Sequence, residues 1–160
     1  MSSKSILKEQ KTSPVDSLRG WKKVFLSDLK YIVNEMKDTL ERPTCLVLTG
    51  DVGAGKTSFC KIFTENLEGG ETLSPTYAIV SESRRIVHAD FYRLEEADEM
   101  CHLELGLYSE DKDFFLVEWG KKYLAELKKE LSRYHFYELK IEVNEDSPQS
   151  SRNYYLCTLE

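Results

Sequence analysis

Residues 46–59, LVLTGDVGAGKTSF, decide how the chain is read. They continue the run TCLVLT, residues 44–49, which is almost wholly apolar. Such a run suits a strand covered on both faces, as in a parallel sheet. Gly50, Gly53 and Gly55 then make a glycine-rich turn, and Lys56, Thr57 and Ser58 follow it. Beyond the turn, Phe59, Cys60, Ile62, Phe63 and Leu67 recur at helical spacing. Gly69 and Gly70 stop that helix. Residues 44–67 therefore read as strand, loop, helix.

The loop has a chemical meaning. Gly50, four residues, then Gly55, Lys56 and Thr57 fit the Walker A pattern. Glycines let the backbone approach a ligand closely. The turned N–H groups form an anion nest, and the helix opening near Lys56 adds its positive end. Lys56 can reach the β- and γ-phosphates of a nucleotide, and the Thr57 hydroxyl can hold a magnesium ion that bridges them. Asp51, inside the loop, is either a turn-favouring residue or a group near the γ-phosphate.

Outward from this unit, residues 1–20 read as a loosely ordered N-terminal tail and 21–160 as one domain. WKKVFL suggests a first strand, and Ser27 is a candidate N-cap for a helix running to about Leu40. TYAIVSESRRIVHADFYRL reads as two strands with a turn near Ser83. EADEMCHLELG predicts a short acidic helix ending at Gly106, FFLVEW a buried strand, and KKYLAELKKELSR a helix with a solvated charged face. In YELKIEV, Tyr137, Leu139, Ile141 and Val143 alternate with polar residues, as in a half-buried antiparallel strand. NEDSPQSSRN is a turn and YYLCTL the returning strand. The expected fold class is α/β: a mostly parallel sheet flanked by helices, with antiparallel C-terminal strands.

Composition narrows the function. The net charge of −6 argues against a domain that grips nucleic acid through a broad basic surface. The four cysteines make no C-x-x-C pair, and Cys45 and Cys60 fall in apolar stretches as small buried hydrophobes. No secretory signal and no apolar run of membrane-spanning length is visible, so a reducing cytoplasm is the expected location.

Two strands end in carboxylates. In IVHADFYR, alternation puts His88, Asp90 and Tyr92 on one face and Val87, Ala89 and Phe91 on the apolar other. In FFLVEW, Glu118 stands at the carboxyl end of a strand, where open α/β sheets bind ligands. It can serve magnesium or orient an attacking water. Trp119 beside it either caps the core or marks a docking surface. In SPTY, Thr76 occupies a loop position suited to a switch-like hydroxyl.

Four strings stand in order: GDVGAGKTSF, SPTY, HADFYRL and VEWG. Together they resemble the TsaE (YjeE) family of small bacterial P-loop ATPases, over roughly residues 20–160. The resemblance implies an accessory ATPase for tRNA modification. In that process a threonylcarbamoyl group is placed on the adenosine next to the anticodon of tRNAs reading codons that begin with adenine. The partners TsaD and TsaB carry the transfer, and the family member hydrolyses ATP to reset them. It meets tRNA only through that complex. By motif, Gly53, Ala54, Gly55, Lys56, Thr57 and Ser58 would hold the phosphates of ATP. Thr57 and Glu118 would serve Mg2+. Thr76 would be switch-like, Asp90 Walker B-like, and Trp119 would flank the site.

The chain departs from the family pattern at a few points. Val52 and Ser58 replace an expected leucine and threonine, Gly120 is expected to loosen the start of the next helix, and Ser151–Arg152 stands where the family tends to show Gly-Arg. The alternatives are a P-loop kinase or a nucleotide-dependent switch with another partner. A kinase usually needs an arginine-bearing lid, for which the segment after SPTY leaves little sequence. A small GTPase needs a guanine-reading N-K-x-D string, absent from any suitable place.

Overall fold

A computed structural model describes residues 17–69, 79–144 and 151–159. Residues 1–16 of the expected tail, Thr76 and most of the NEDSPQSSRN turn lie outside them, whereas Arg19 and Gly20, read as tail, fall in the first strand. In chain order the elements are β1 (Arg19–Val24), α1 (Leu29–Thr39), β2 (Thr44–Thr49), α2 (Lys56–Glu68), β3 (Val80–Glu82), β4 (Ile86–Asp90), α3 (Ala97–Cys101), β5 (Phe114–Glu118), α4 (Leu124–Glu130), β6 (His135–Val143) and β7 (Arg152–Thr158). The fold is α/β, as the apolar periodicities predict.

One seven-stranded sheet runs β1-β7-β6-β2-β5-β4-β3. Its middle is parallel: β2 pairs with both β5 and β6, and β4 pairs with β5. Antiparallel pairs complete both sides, β6 with β7 and β7 with β1 on one, β4 with β3 on the other.

Strand β2 explains the continuous apolar run. Leu46 and Leu48 belong to the core layer shared with Val33 and Met36 of α1 and Phe59 and Phe63 of α2. Cys45 and Val47 belong to the opposite layer, with Met100 of α3 and Leu127 of α4. Both faces are covered, so neither needs a polar residue. The same alternation sorts the neighbours. Ile86, Phe114 and Leu116 face the α2 layer, and Val87, Ala89, Phe115 and Val117 face the other.

Four local expectations are corrected. Ser27 does not cap α1. It lies in a single 3-10 turn over Leu26–Asp28, and the N-cap position is Asp28, with no side-chain capping bond. The acidic helix does not reach Gly106. It stops after Cys101, Glu104 takes a left-handed conformation (φ 51), and a separate 3-10 turn covers Leu105–Tyr108. The antiparallel reading of YELKIEV holds on one side only, because β6 is antiparallel to β7 but parallel to β2. The KKYLAELKKELSR helix does not begin at Lys121: a 3-10 turn over Lys121–Tyr123 follows Gly120, and α4 starts at Leu124. Gly120 itself packs closely, and a Cβ there would meet Val117 Cγ1 at 2.5 Å. Among the described residues, no helix is long and apolar enough to cross a membrane.

Candidate active site

The parallel strands β2, β4 and β5 end side by side. In their shared register Asp90 stands beside Glu118, and Leu48 beside Glu118 on the other flank. The glycine loop leaves β2 at this edge and enters α2 at Lys56. Gly50 cannot carry a side chain, because a Cβ would meet the Ile141 carbonyl oxygen of β6 at 2.6 Å. Gly55 turns the chain into the helix at φ 108, a conformation few other residues adopt.

A cleft of about 340 Å³ opens at this edge. Gly53, Gly55, Lys56, Thr57 and Ser58 line it from the loop and helix, Asp90 and Tyr92 from the end of β4, and Glu118 and Trp119 from the end of β5. Eight of the residues singled out in the sequence thus converge. Asp51 and Ala54 belong to the loop but do not line the cleft: the Asp51 carbonyl accepts from Lys56 Nζ at 2.9 Å, and Ala54 is buried.

Lys56 is buried, with 5% of its surface exposed. Its Nζ also donates to the Gly50 carbonyl at 2.7 Å and sits 4.2 Å from the centroid of the Trp119 ring. Burial lowers its pKa, and the carboxylates of Glu118, Asp51 and Asp90 oppose that shift. Trp119 holds a left-handed backbone conformation (φ 58), uncommon for a bulky residue, and its ring also meets that of Tyr92 at 5.2 Å. The tryptophan is therefore part of the cleft wall.

Glu118 is 2% exposed. A buried carboxylate needs partners, and it has two. Thr57 Oγ1 donates to Oε1 at 2.8 Å, and His88 Nε2 meets Oε2 at 2.6 Å. Asp90 Oδ1 accepts from the Tyr92 N–H at 3.0 Å. Chemically, the cleft sets an ammonium and a helix N-terminus opposite two carboxylates and a hydroxyl. The first group suits an anion and the second a hard cation.

Three residues were not assigned to the site from sequence. Arg152 of β7 donates from Nε to the Ala54 carbonyl at 3.0 Å and so braces the loop. Tyr92, 61% exposed, extends the aromatic wall. Cys60 lies one turn beyond Thr57 on the same face of α2, beside His88 and Glu118. Tyr92 carried a sequence signal through its alternation with Asp90, and Arg152 through its place at the Ser151–Arg152 step; Cys60 carried none as a site residue.

The chain matches the family described as "Threonylcarbamoyl adenosine biosynthesis protein TsaE" over residues 26–154. Proteins named tRNA threonylcarbamoyladenosine biosynthesis protein TsaE are among its relatives. The one from Haemophilus influenzae is 32% identical over 87 residues, covering 51% of this chain and 55% of that protein. The one from Bacillus subtilis is 35% identical over 105 residues, covering 62% and 65%. These matches thus span less than two thirds of either relative's length. The crystal structure of Bacillus subtilis YdiB superposes with a TM-score of 0.59 at 25% identity, over 92% of this chain and 90% of that one. The chain belongs to the TsaE family.

Proposed function

We propose that this protein binds ATP with magnesium and hydrolyses it in support of tRNA threonylcarbamoyladenosine formation. It acts on the TsaD–TsaB pair and does not transfer the group itself. The observation that carries the reading is the convergence of Lys56, Thr57, Asp90 and Glu118 in one cleft at the carboxyl edge of the parallel strands. Membership of the TsaE family supplies the process, and the names of the relatives agree with it. The net charge of −6 favours a protein that meets tRNA through partners.

The residues present fit both ligands. Gly53 and Gly55 both line the cleft, and nothing lies within 4 Å of a Cβ built on either. Backbone N–H groups of such a loop suit phosphate oxygens. Thr57 Oγ1 and Glu118 Oε1 already lie 2.8 Å apart, two hard oxygens of the kind magnesium takes alongside phosphate and water. Thr57 and Glu118 would hold the ion, which when bound neutralises charge on the β- and γ-phosphates.

The chain's own groups divide the remaining work. Gly53, Gly55 and Ser58 cradle the phosphates with the helix N-terminus, and Ala54, whose N–H donates to the Asp51 carbonyl, supports the loop. Lys56 leaves its loop carbonyls for phosphate oxygens. Asp90 and Glu118 orient the attacking water and accept its proton, while His88 keeps the Glu118 carboxylate aimed into the cleft. Trp119 and Tyr92 shield that edge from solvent. Thr76 is assigned the switch-like hydroxyl.

The test uses near-isosteric changes. In Glu118→Gln and Asp90→Asn, nucleotide affinity should stay within a few-fold while turnover falls by roughly a hundredfold. Unchanged turnover in both variants would remove the assigned roles.

A further inference from the structure

Beside the cleft lies a group of donors of mixed chemistry, one of which, Glu118, also lines the cleft. Cys60 comes from α2, His88 from β4 and Glu118 from β5, and one ligand atom of each lies within 4.8 Å of the other two. Cys60 is 1% and Glu118 2% exposed, and the His88 side chain is 14% exposed. All three point to the same side of the sheet, because His88 and Glu118 continue the alternation of Ile86 and Leu116 toward α2. Their positions are set by one helix and two paired strands, a more rigid support than loops provide.

The donor set is sulfur, nitrogen and oxygen. Magnesium takes oxygens and holds its waters, so it has no use for a thiol or an imidazole. Zinc accepts all three ligand types in tetrahedral geometry and often keeps a fourth position open. The two Glu118 oxygens are already divided between the two sides of the carboxylate. Oε1 is engaged by Thr57 at the cleft, and Oε2 by His88 beside it.

We propose that Cys60, His88 and Glu118 form a binding site for a single thiophilic divalent cation, zinc in particular. On binding, the Cys60 thiol proton leaves to solvent and the thiolate takes one position. His88 coordinates through Nε2 and keeps its remaining proton on Nδ1. Glu118 contributes Oε2, and water fills the fourth place. The inference stands on the nucleotide-free protein and does not depend on the hydrolysis reading.

Cobalt(II) is the probe, because its thiolate complexes absorb in the near ultraviolet and its tetrahedral complexes in the visible. The full chain, reduced, metal-free and nucleotide-free, is titrated with cobalt and then with zinc. The expected result is a thiolate-to-cobalt band that saturates at one equivalent and is abolished by zinc. Cys60→Ser should lose the band, and His88→Asn should bind cobalt about tenfold more weakly or worse. The double variant Cys101→Ser/Cys157→Ser leaves the buried cysteines untouched and should keep the band in full. No thiolate band in the wild type, a band that survives Cys60→Ser, or its loss in the double variant would each overturn the proposal.

Discussion

Lys56 is engaged within the protein. Its ammonium bridges the Gly50 and Asp51 carbonyls and lies over the Trp119 ring. Binding phosphate means exchanging those contacts for stronger, charge-assisted ones, and such bonds contribute about 1.5–3 kcal/mol. Lys56→Ala should therefore weaken ATP binding by roughly ten- to a hundredfold. Calorimetric titration gives the readout, because Lys56→Ala itself takes the cation off the Trp119 ring. A titration that returns wild-type affinity for Lys56→Ala would mean the phosphates lie elsewhere. At this scale the sequence was informative wherever a motif fixes spacing. Gly53, Gly55, Lys56, Thr57 and Ser58 line the cleft as the Walker A pattern implies. Cys60 was legible only as a small apolar residue. Its nearness to His88 and Glu118 arises from three separate elements meeting, which no local pattern encodes.

Elements were legible where both faces of a strand, or one face of a helix, had to be apolar. The runs at β2 and β5 and the stripe on α2 show this. Strand direction was harder to read. Tyr137, Leu139 and Ile141 alternate in β6 as in any half-buried strand, and alternation says nothing about whether a neighbour runs parallel. Here β6 has one neighbour of each kind. Helix starts were also missed, because single 3-10 turns precede α1 and α4 and a capping residue can sit in such a turn without capping. The turn from β5 to α4 carries its own prediction. Gly120 fits only without a side chain, with Val117 Cγ1 at 2.5 Å and Leu127 Cδ1 at 3.3 Å from a Cβ built there. Gly120→Ala overpacks that corner and should cost about 1–3 kcal/mol. At roughly 2–4 °C per kcal/mol for a chain of this size, the melting temperature drops by several degrees. An unchanged melting curve would show that the corner yields without cost.

At the scale of the whole molecule, one sheet edge collects the glycine loop, two carboxylates and an aromatic wall, while two core layers hold the strands that present them. That arrangement is a rigid platform for the proposed nucleotide chemistry, and its purpose depends on what couples to it. The central claim is that the platform's ATP turnover serves the TsaD–TsaB pair. The direct measurement is ATP hydrolysis by the purified full chain, alone and with TsaD and TsaB from the same organism. We expect slow turnover alone and stimulation of about tenfold or more by the pair, abolished in Glu118→Gln. Turnover that is brisk alone and indifferent to the pair would contradict the claim.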